Sequence, residues 1–379
     1  MKGFKNVNLY LGDKRIVKTS LLIENGKIKK IGDLIENDLI SLDDDLVVVP
    51  GFIDKHVHGA NNSDGMYPTF EDIENIAVTI PKEGVASFLA TTMTQTEEEI
   101  DKALVNINDY IKKQSKGAEV IGIHLEGPFI SKKHKGAQVE SAIVPCSVEQ
   151  FKHYQKKAGD NIRQVTLAYE ENGEELIKYL VKNNIVASLG HTDATSAQVK
   201  EAVKAGATSV THCFNAMKGL HHREAGTVGG SMLCDELYCE LIADLIHVSP
   251  DAIRILFKTK GKDRIVLITD AMEAKHLPDG EYSLGGQKVF VKDGAARLAD
   301  GTLAGSTLTM DVAMRNIKEV MGMNYLEVVD LATVNPAKNL KIDHKKGYIK
   351  EGYDADFTVI NSNFEIFKTI SKGKIIYEK

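Results

Sequence analysis

The stretch IVASLGHTDATSAQVKEAVKAGATSVTHC, residues 185–213, contains one strand–helix–strand unit. Short apolar runs at Val186–His191 and Ser209–His212 predict two buried strands. The segment between them, Ser196–Ala205, has helical character, and Thr195 before it is a residue type that caps helix N-termini. Because strands that alternate with helices form parallel sheets, this stretch predicts one repeat of an α/β fold.

The same unit recurs along the middle of the chain. Eight apolar runs are predicted as strands: Gly51–His56, Ser87–Thr92, Val120–Glu126, Gln164–Ala168, Val186–His191, Ser209–His212, Glu240–Asp244 and Ile265–Asp270. Helices are predicted at Glu71–Lys82, Thr96–Gln114, Val148–Ala158, Glu174–Asn183, Ser196–Ala205, Pro250–Thr259, Val312–Val320 and Leu326–Leu331. Eight repeats predict a (β/α)8 TIM barrel, and the alternative is a doubly wound open sheet.

Both chain ends are rich in short β-strands. Candidate strands lie at Asn6–Tyr10, Ser20–Ile23, Lys27–Ile31, Gly347–Ile349, Phe357–Ile360 and Ile375–Tyr377. We therefore expect residues 1–50 and 343–379 to form one small β-sandwich domain, and residues 51–342 to form the barrel. The Gly-rich stretch Glu281–Leu303 is predicted to be a hairpin-like excursion over the barrel mouth.

Composition excludes several classes of protein. The 379 residues are 43% hydrophobic and 26% charged, as in globular proteins. The formal net charge of −6 disfavours binding to nucleic acid or to an anionic membrane. We also expect no membrane span and no signal peptide, because no long apolar run is present. The expected location is the cytoplasm, and for such a chain the four cysteines, which include no C-x-x-C pair, are interpreted as reduced thiols.

Candidate metal ligands stand where barrels carry their reactive groups, at the carboxyl ends of strands. They are His56 and His58 after strand one, Glu126 after strand three, His191 after strand five, His212 after strand six and Asp270 after strand eight. Imidazoles and carboxylates suit a divalent ion such as zinc. A carboxylate beside such an ion can move a proton between water and a leaving amine, and Asp270 is the candidate for that role.

Other histidines are interpreted as structural. His124 is predicted to lie in the core, as is Cys213 beside His212. Surface positions are predicted for His134, His153, His276 and His344.

Around the candidate ligands the sequence resembles the amidohydrolase superfamily and, within it, the N-acetylglucosamine-6-phosphate deacetylases. The matching stretches are PGFIDKHVHG (50–59), GIHLEGPFISKKHKGA (122–137), SLGHTDAT (188–195), THCFNAMKGLHHREAG (211–226), IADLIHVSP (242–250), ITDAM (268–272), LADGTLAGSTLTM (298–310) and the tail 335–361. HxH alone is weak evidence, but HLEGPF, SLGHT, NAM and LAGS in this order are specific. The resemblance covers nearly the whole chain.

The resemblance implies metal-dependent hydrolysis of the acetamide of N-acetyl-D-glucosamine 6-phosphate, which yields D-glucosamine 6-phosphate and acetate. It implies a principal metal site at Glu126, His191 and His212, and a second ion at His56 and His58. One or two divalent ions are therefore expected, with zinc as the first choice and iron as the second. Asp270 matches the catalytic acid/base.

The resemblance also implies contacts to an amino-sugar phosphate. The matching positions are Asn215, Ala216 and Arg223 for the phosphate, His247 for the sugar or acetyl carbonyl, Ala137 and Gln138 beside the sugar, and Leu303, Ala304 and Ser306 near the acetamide. Arg223 reaches across a subunit interface in the family, which implies a homodimer. Gln138 stands where many members carry a histidine, and an amide can form hydrogen bonds without carrying charge.

Three alternatives stay open at this point. One is a related amidohydrolase that acts on another N-acetylhexosamine phosphate. A second is a cyclic-amide hydrolase, but such enzymes use a modified lysine at strand four, and Gln164–Ala168 contains none. The third is a non-catalytic sugar-phosphate binding protein, which we expect to have lost metal ligands or the acid.

Overall fold

The computed structural model describes residues 1–12, 15–34 and 38–379. Residues 13, 14 and 35–37, inside the predicted β-domain, lie outside the described residues. Eight parallel strands follow one another in chain order around a barrel. They are Phe52–Val57, Val85–Thr92, Glu119–Glu126, Ile162–Leu167, Val186–Leu189, Ser209–Val210, Tyr238–Ile242 and Ile265–Ile268. Each overlaps one of the eight runs predicted as strands.

The barrel closes where its first and eighth strands meet. The backbone N–H of Asp270 donates to the carbonyl of His56 at 2.8 Å, and the N–H of His58 donates to the carbonyl of Ala271 at 2.9 Å. Below them the Thr269 hydroxyl donates to the buried carboxylate of Asp54 at 2.5 Å. These bonds join both edges of the sheet, which confirms the predicted barrel and excludes the open sheet.

Helices cover the outside of the barrel. Described α-helices span Phe70–Thr79, Glu97–Lys113, Val148–Lys157, Gly173–Lys182, Ser196–Ala205, Gly226–Leu233, Pro250–Lys260, Met310–Met321, Tyr325–Ala332 and Val334–Asn339. Local signals set several helix ends. At the start of Ser196–Ala205, the Thr195 hydroxyl accepts a hydrogen bond from the backbone N–H of Gln198, and the Gln198 side chain accepts one from the backbone N–H of Thr195. Gly206 ends that helix with a φ of 111°, a conformation that residues with a Cβ rarely adopt. No described helix is both long and apolar enough to cross a membrane.

The two chain ends share one seven-stranded sheet. Its strands are Gly3–Tyr10, Ile16–Glu24, Lys27–Gly32, Val47–Pro50, Phe357–Ile360, Ile366–Ser371 and Lys374–Glu378. Antiparallel pairing of Val47–Pro50 with Phe357–Ile360 joins the two ends, and the sheet has its own hydrophobic cluster that includes Phe4 and Phe357. The predicted strand Gly347–Ile349 is wrong, because residues 346–348 form a bend in which Gly347 has a φ of 85°, a left-handed value that an extended strand does not allow. The exact domain boundaries stay a prediction.

The predicted excursion over the barrel mouth is a three-stranded antiparallel sheet, Gly280–Leu284, Gln287–Lys292 and Ala295–Arg297. Hydrogen bonds attach it to the barrel: the Gln95 amide donates to the carbonyl of Gly285 at 2.6 Å, the N–H of Ser283 donates to Glu273 at 2.6 Å, and the Gln287 amide donates to the carbonyl of Ala137. The excursion therefore forms one wall of the mouth.

Candidate metal centre and active site

Backbone turns at the strand ends direct the candidate ligands into the barrel mouth. Glu126 is the last residue of the third strand, whereas His191, His212 and Asp270 each follow the end of a strand by two residues. These three residues have φ values of 48°, 30° and 49°. Such left-handed conformations cost about 1–3 kcal/mol each and concentrate at functional sites. The chain therefore bends sharply where these side chains leave the strands.

Five candidate ligands converge as two groups that share one carboxylate. In the first group, His212 Nε2 lies 3.1 Å from both His191 Nε2 and Glu126 Oε1. In the second, His56 Nε2 and His58 Nε2 are 3.3 Å apart, and His58 Nε2 is 3.3 Å from Glu126 Oε2. All five side chains are buried. Glu126 stands between the groups and offers an oxygen to each.

The spacing of these atoms fits a metal ion. Ligands about 2.0–2.1 Å from a tetrahedral zinc ion are separated from one another by about 3.3 Å. The corresponding separations here run from 3.1 to 3.4 Å. The donor set of imidazole nitrogens and carboxylate oxygens is also one that zinc and iron accept. The residues present therefore fit one or two divalent ions.

Asp270 lies against the second group. Its Oδ1 is 3.2 Å from the Nε2 atoms of both His56 and His58. Burial opposes ionisation of Asp270, but the charges and hydrogen bonds of these two imidazoles outweigh it and hold the pKa of Asp270 well below its usual range. The pKa of Glu126 is lowered in the same way by His56 and the other imidazoles, against the effect of burial. Both acids therefore stay ionised near neutral pH.

The five candidate ligands and Asp270 together are called the metal cluster. A cavity of about 340 Å³ opens above this cluster of side chains, a size within the range of small-molecule sites. The cluster forms its floor through His58, Glu126, His191, His212 and Asp270. Of the predicted substrate residues, Ala137, Gln138, Asn215, Ala216, His247 and Leu303 line its walls. The structure therefore brings together the metal cluster and most of the predicted substrate contacts.

Three predicted substrate residues do not line this cavity. Arg223 is outside it in the single chain, with its guanidinium 2.8 Å from the exposed ring of His222. Ala304 is buried behind the wall, in the cluster beneath the excursion. Ser306 is also buried, and its hydroxyl donates to the carbonyl of Thr269 at 2.6 Å. Ala304 and Ser306 thus support the wall, whereas Arg223 does not reach the cavity of its own chain.

Gln138 contacts a candidate metal ligand directly. Its Nε2 donates to Glu126 Oε2 at 2.7 Å, and its Oε1 accepts from the backbone N–H of Thr94 at 2.7 Å. Both ends of the amide are therefore engaged, and Gln138 orients the Glu126 carboxylate.

His247 is oriented by an acid that the sequence reasoning missed. The Asp244 carboxylate lies 2.6 Å from His247 Nδ1 and also accepts from the backbone N–H groups of Ile246 and His247. The other ring nitrogen, Nε2, is thereby left for contacts in the cavity. The three-residue spacing in IADLIH was a usable signal for this pair, because it suits a tight turn.

His134 was predicted to be a surface residue, but it is only partly exposed and lines the cavity. Its carbonyl oxygen accepts a hydrogen bond from His191 Nδ1 at 2.8 Å, and its ring pairs with Asp193 at 3.0 Å. Lys133, Met93, Leu284 and Thr302 also line the cavity and were not predicted. No local pattern marks these residues, since the loops that carry them meet only in the fold.

Beneath the metal cluster the barrel interior is polar, whereas barrels of this type are usually filled by Val, Ile and Leu. The buried His124 ring lies 2.7 Å from the Thr166 hydroxyl, which is 2.7 Å from the hydroxyl of Thr211. Burial lowers the pKa of His124 well below its usual value, so its ring is neutral. Gln164 continues this network to the buried carboxylate of Glu240 at 2.7 Å. The predicted core position of His124 is confirmed.

Comparison with known proteins agrees with this geometry. The model of the amidohydrolase family matches residues 47–376. An N-acetylglucosamine-6-phosphate deacetylase of Bacillus subtilis is 44% identical over 88% of this chain and 85% of its own length. An N-acetylgalactosamine-6-phosphate deacetylase of Escherichia coli O157:H7 is 36% identical over 87% of each. The crystal structure of the N-acetylglucosamine-6-phosphate deacetylase of Thermotoga maritima superposes with a TM-score of 0.90, at 34% identity and complete coverage of both chains. The chain belongs to the amidohydrolase family.

Proposed function

We propose that this protein is a metal-dependent deacetylase that hydrolyses the acetamide of N-acetyl-D-glucosamine 6-phosphate to D-glucosamine 6-phosphate and acetate. The observation that carries the proposal is the convergence of Glu126, four histidines and Asp270 on one cavity, in a chain 44% identical to a deacetylase of that specificity. The predicted cytoplasmic location is part of this proposal.

Two positions are available for divalent ions. Glu126, His191 and His212 would hold the first, and His56 and His58 would share Glu126 in holding the second. Zinc is the first choice and iron the second, because both accept nitrogen and oxygen ligands. An ion held there supplies Lewis acidity, which activates water and polarises a carbonyl group.

The reacting proton is assigned to Asp270. Because its carboxylate is ionised, it can accept a proton from the attacking water and later deliver that proton to the departing amine nitrogen. His247, oriented by Asp244, would contact the acetyl oxygen, where negative charge develops in the tetrahedral intermediate. No covalent bond to the protein is required in this sequence.

The phosphate would lie against Asn215 and Ala216 at the cavity wall, and Ala137 and Leu303 would enclose the sugar and its acetamide. Arg223 would complete the phosphate site from the second chain of a homodimer. Its position outside the cavity of its own chain supports this arrangement, as do the exposed side chains of Leu220 and Leu233, which are 62% and 64% accessible.

Arg223→Ala is expected to raise KM for the phosphorylated sugar about 10- to 100-fold, because charge-assisted hydrogen bonds contribute about 1.5–3 kcal/mol. KM for unphosphorylated N-acetylglucosamine should hardly change. Steady-state kinetics on both sugars measure this, with Arg254→Ala, a surface arginine paired with Asp251, as the matched control. Equal effects of Arg223→Ala on the two sugars would contradict the phosphate contact.

A mixed dimer tests whether Arg223 acts across the interface. Chains carrying Arg223→Ala are co-expressed with chains carrying Asp270→Asn. If Arg223 acts across the interface, one site of each heterodimer has neither defect, whereas each site has one defect if Arg223 acts in its own chain. Activity above that of either variant alone supports the proposal. Purely additive activity would place Arg223 in the site of its own chain.

A related activity towards N-acetyl-D-galactosamine 6-phosphate is the second candidate. The relative in Escherichia coli with that name favours it. Cyclic-amide hydrolysis is disfavoured, because the fourth strand, Ile162–Leu167, contains no lysine and Glu126 already stands between the two candidate metal positions.

An acetate-release assay separates these functions. We expect the highest kcat/KM on N-acetyl-D-glucosamine 6-phosphate and a lower value on the galactosamine isomer. A cyclic amide such as dihydroorotate has no acetyl group to release, so its ring opening is measured separately by loss of the substrate, and we expect none. Preference for the galactosamine isomer would establish the second candidate. No acetate release from either sugar phosphate, with metal bound, would refute both.

A further inference from the structure

Glu240, in the seventh strand, lies wholly buried beneath the metal cluster. Both of its carboxylate oxygens are engaged. Oε1 is 3.0 Å from the ammonium of Lys55 and accepts from Gln164 Nε2 at 2.7 Å. Oε2 accepts from the backbone N–H of His212 at 3.3 Å and lies 3.1 Å from His56 Nδ1. Only a carboxylate can accept bonds at both ends in this way.

These contacts determine the tautomer of His56. An ionised carboxylate has no hydrogen to give, so His56 Nδ1 must carry the hydrogen and donate it to Oε2. In a neutral imidazole the lone pair then belongs to Nε2. His56 Nε2 is the atom that lies 3.3 Å from His58 Nε2 and 3.4 Å from Glu126 Oε1, within the second candidate metal position.

The Nδ1 atoms of the other three candidate histidines have a weaker hydrogen-bond partner or none. His191 Nδ1 donates to a neutral backbone carbonyl, that of His134, at 2.8 Å. In the described part of the chain, His58 Nδ1 and His212 Nδ1 are buried without a hydrogen-bond partner. Each candidate metal position thus contains one imidazole whose tautomer is fixed, His191 in the first and His56 in the second. Of these two, a charged group fixes only that of His56.

We propose that Glu240 is a positioning residue that strengthens metal binding at the position formed by His56, His58 and Glu126. It orients the His56 ring and adds negative charge behind it, as carboxylates do behind many metal-binding histidines. Lys55 balances the charge of Glu240, which lets the carboxylate remain ionised in the barrel interior. The inference rests on the proposed function, since it concerns the same metal centre.

Glu240→Gln tests this directly. Both oxygens of Glu240 face hydrogen-bond donors, so the NH₂ group of a glutamine at this position must face donors on one side and cannot replace that carboxylate oxygen. The variant is titrated with Zn²⁺ against a chromophoric chelator, and bound metal is counted by mass spectrometry. We expect the wild-type chain to bind two ions and the variant to bind one tightly, with affinity at the second position reduced about 10- to 100-fold. Ser188→Ala, which removes another buried polar group of the same interior at its contact with Thr211, should keep both ions.

A double variant separates positioning from simple charge balance. Glu240→Gln leaves the Lys55 ammonium without its carboxylate, which can destabilise the barrel by itself. Glu240→Gln with Lys55→Met removes both charges, and we expect it to regain thermal stability without regaining the second ion. Recovery of the second ion in the double variant would overturn the inference. Uptake of one ion only by the wild type, equal loss of both ions, or retention of both by Glu240→Gln would also overturn it.

Metal content is measured without reference to turnover, so a failure of the role of Glu240 can be distinguished from a failure of the proposed function. A wild-type chain that binds two ions but releases no acetate refutes the proposed function and leaves the role of Glu240 standing. An active wild-type enzyme whose Glu240→Gln variant keeps both ions refutes only the role of Glu240.

Discussion

Replacement of Asp270 by asparagine is expected to lower kcat on the acetylated sugar phosphate by about 10²–10⁴-fold, the usual contribution of a positioned acid/base. Asparagine has nearly the same shape, but its amide cannot accept a proton from water near neutral pH. The carboxylate it replaces lies at the floor of the cavity, 3.2 Å from the Nε2 atoms of His56 and His58. Acetate release under saturating substrate measures the effect.

Two controls accompany this measurement. Metal content determined on the same samples distinguishes loss of proton transfer from loss of an ion. Asp101→Asn makes the same chemical change at an ion pair with His153 and Lys157, away from the mouth, and should leave kcat near wild type. If Asp270→Asn retains its metal and stays within about tenfold of wild-type kcat, the acid/base assignment is wrong.

Removal of the metal by a chelator is expected to lower turnover by about 10³-fold or more, because Lewis-acid stabilisation contributes several kcal/mol and each 1.36 kcal/mol is a factor of ten. Addition of Zn²⁺ or Fe²⁺ to the stripped protein should restore activity, and the more effective ion identifies the cofactor. Metal-stripped protein that still cleaves the substrate at wild-type rate would refute the mechanism.

The stripped protein should stay folded, which makes the loss of activity interpretable. Burial disfavours charge on His58, but hydrogen bonds to Asp270 and Glu126 outweigh it and raise the pKa of His58 to about 9. Below that pH a proton can therefore replace the ion beside the two carboxylates. Strand pairing around the barrel does not involve the ligands' side chains, so the circular-dichroism spectrum should be unchanged.

Elements with local signals were predictable from sequence. The helix Ser196–Ala205 has the predicted bounds because a capping box at Thr195 and a left-handed glycine at its end act within a few residues. The strands Val47–Pro50 and Ile366–Ser371 were missed, although their valine, isoleucine, phenylalanine and threonine residues favour strands. The sequence also carried no sign that Val47–Pro50 pairs with Phe357–Ile360, because a contact between residues so far apart in the chain leaves no local signal.

The amino-acid sequence alone determined the repeat of strand and helix, the family, and the residue types at the strand ends, because periodicity, caps and motifs are local properties of the chain. It did not determine which atoms meet. No spacing rule links Glu126 to His212, or Glu240 to His56. The family resemblance implied that the first pair shares a site, but nothing in the sequence indicated the second. Only closure of the barrel, through hydrogen bonds between its first and last strands, brings these side chains within 3.4 Å of one another. Tertiary structure therefore decided the geometry of the metal centre, whereas the sequence determined its chemistry.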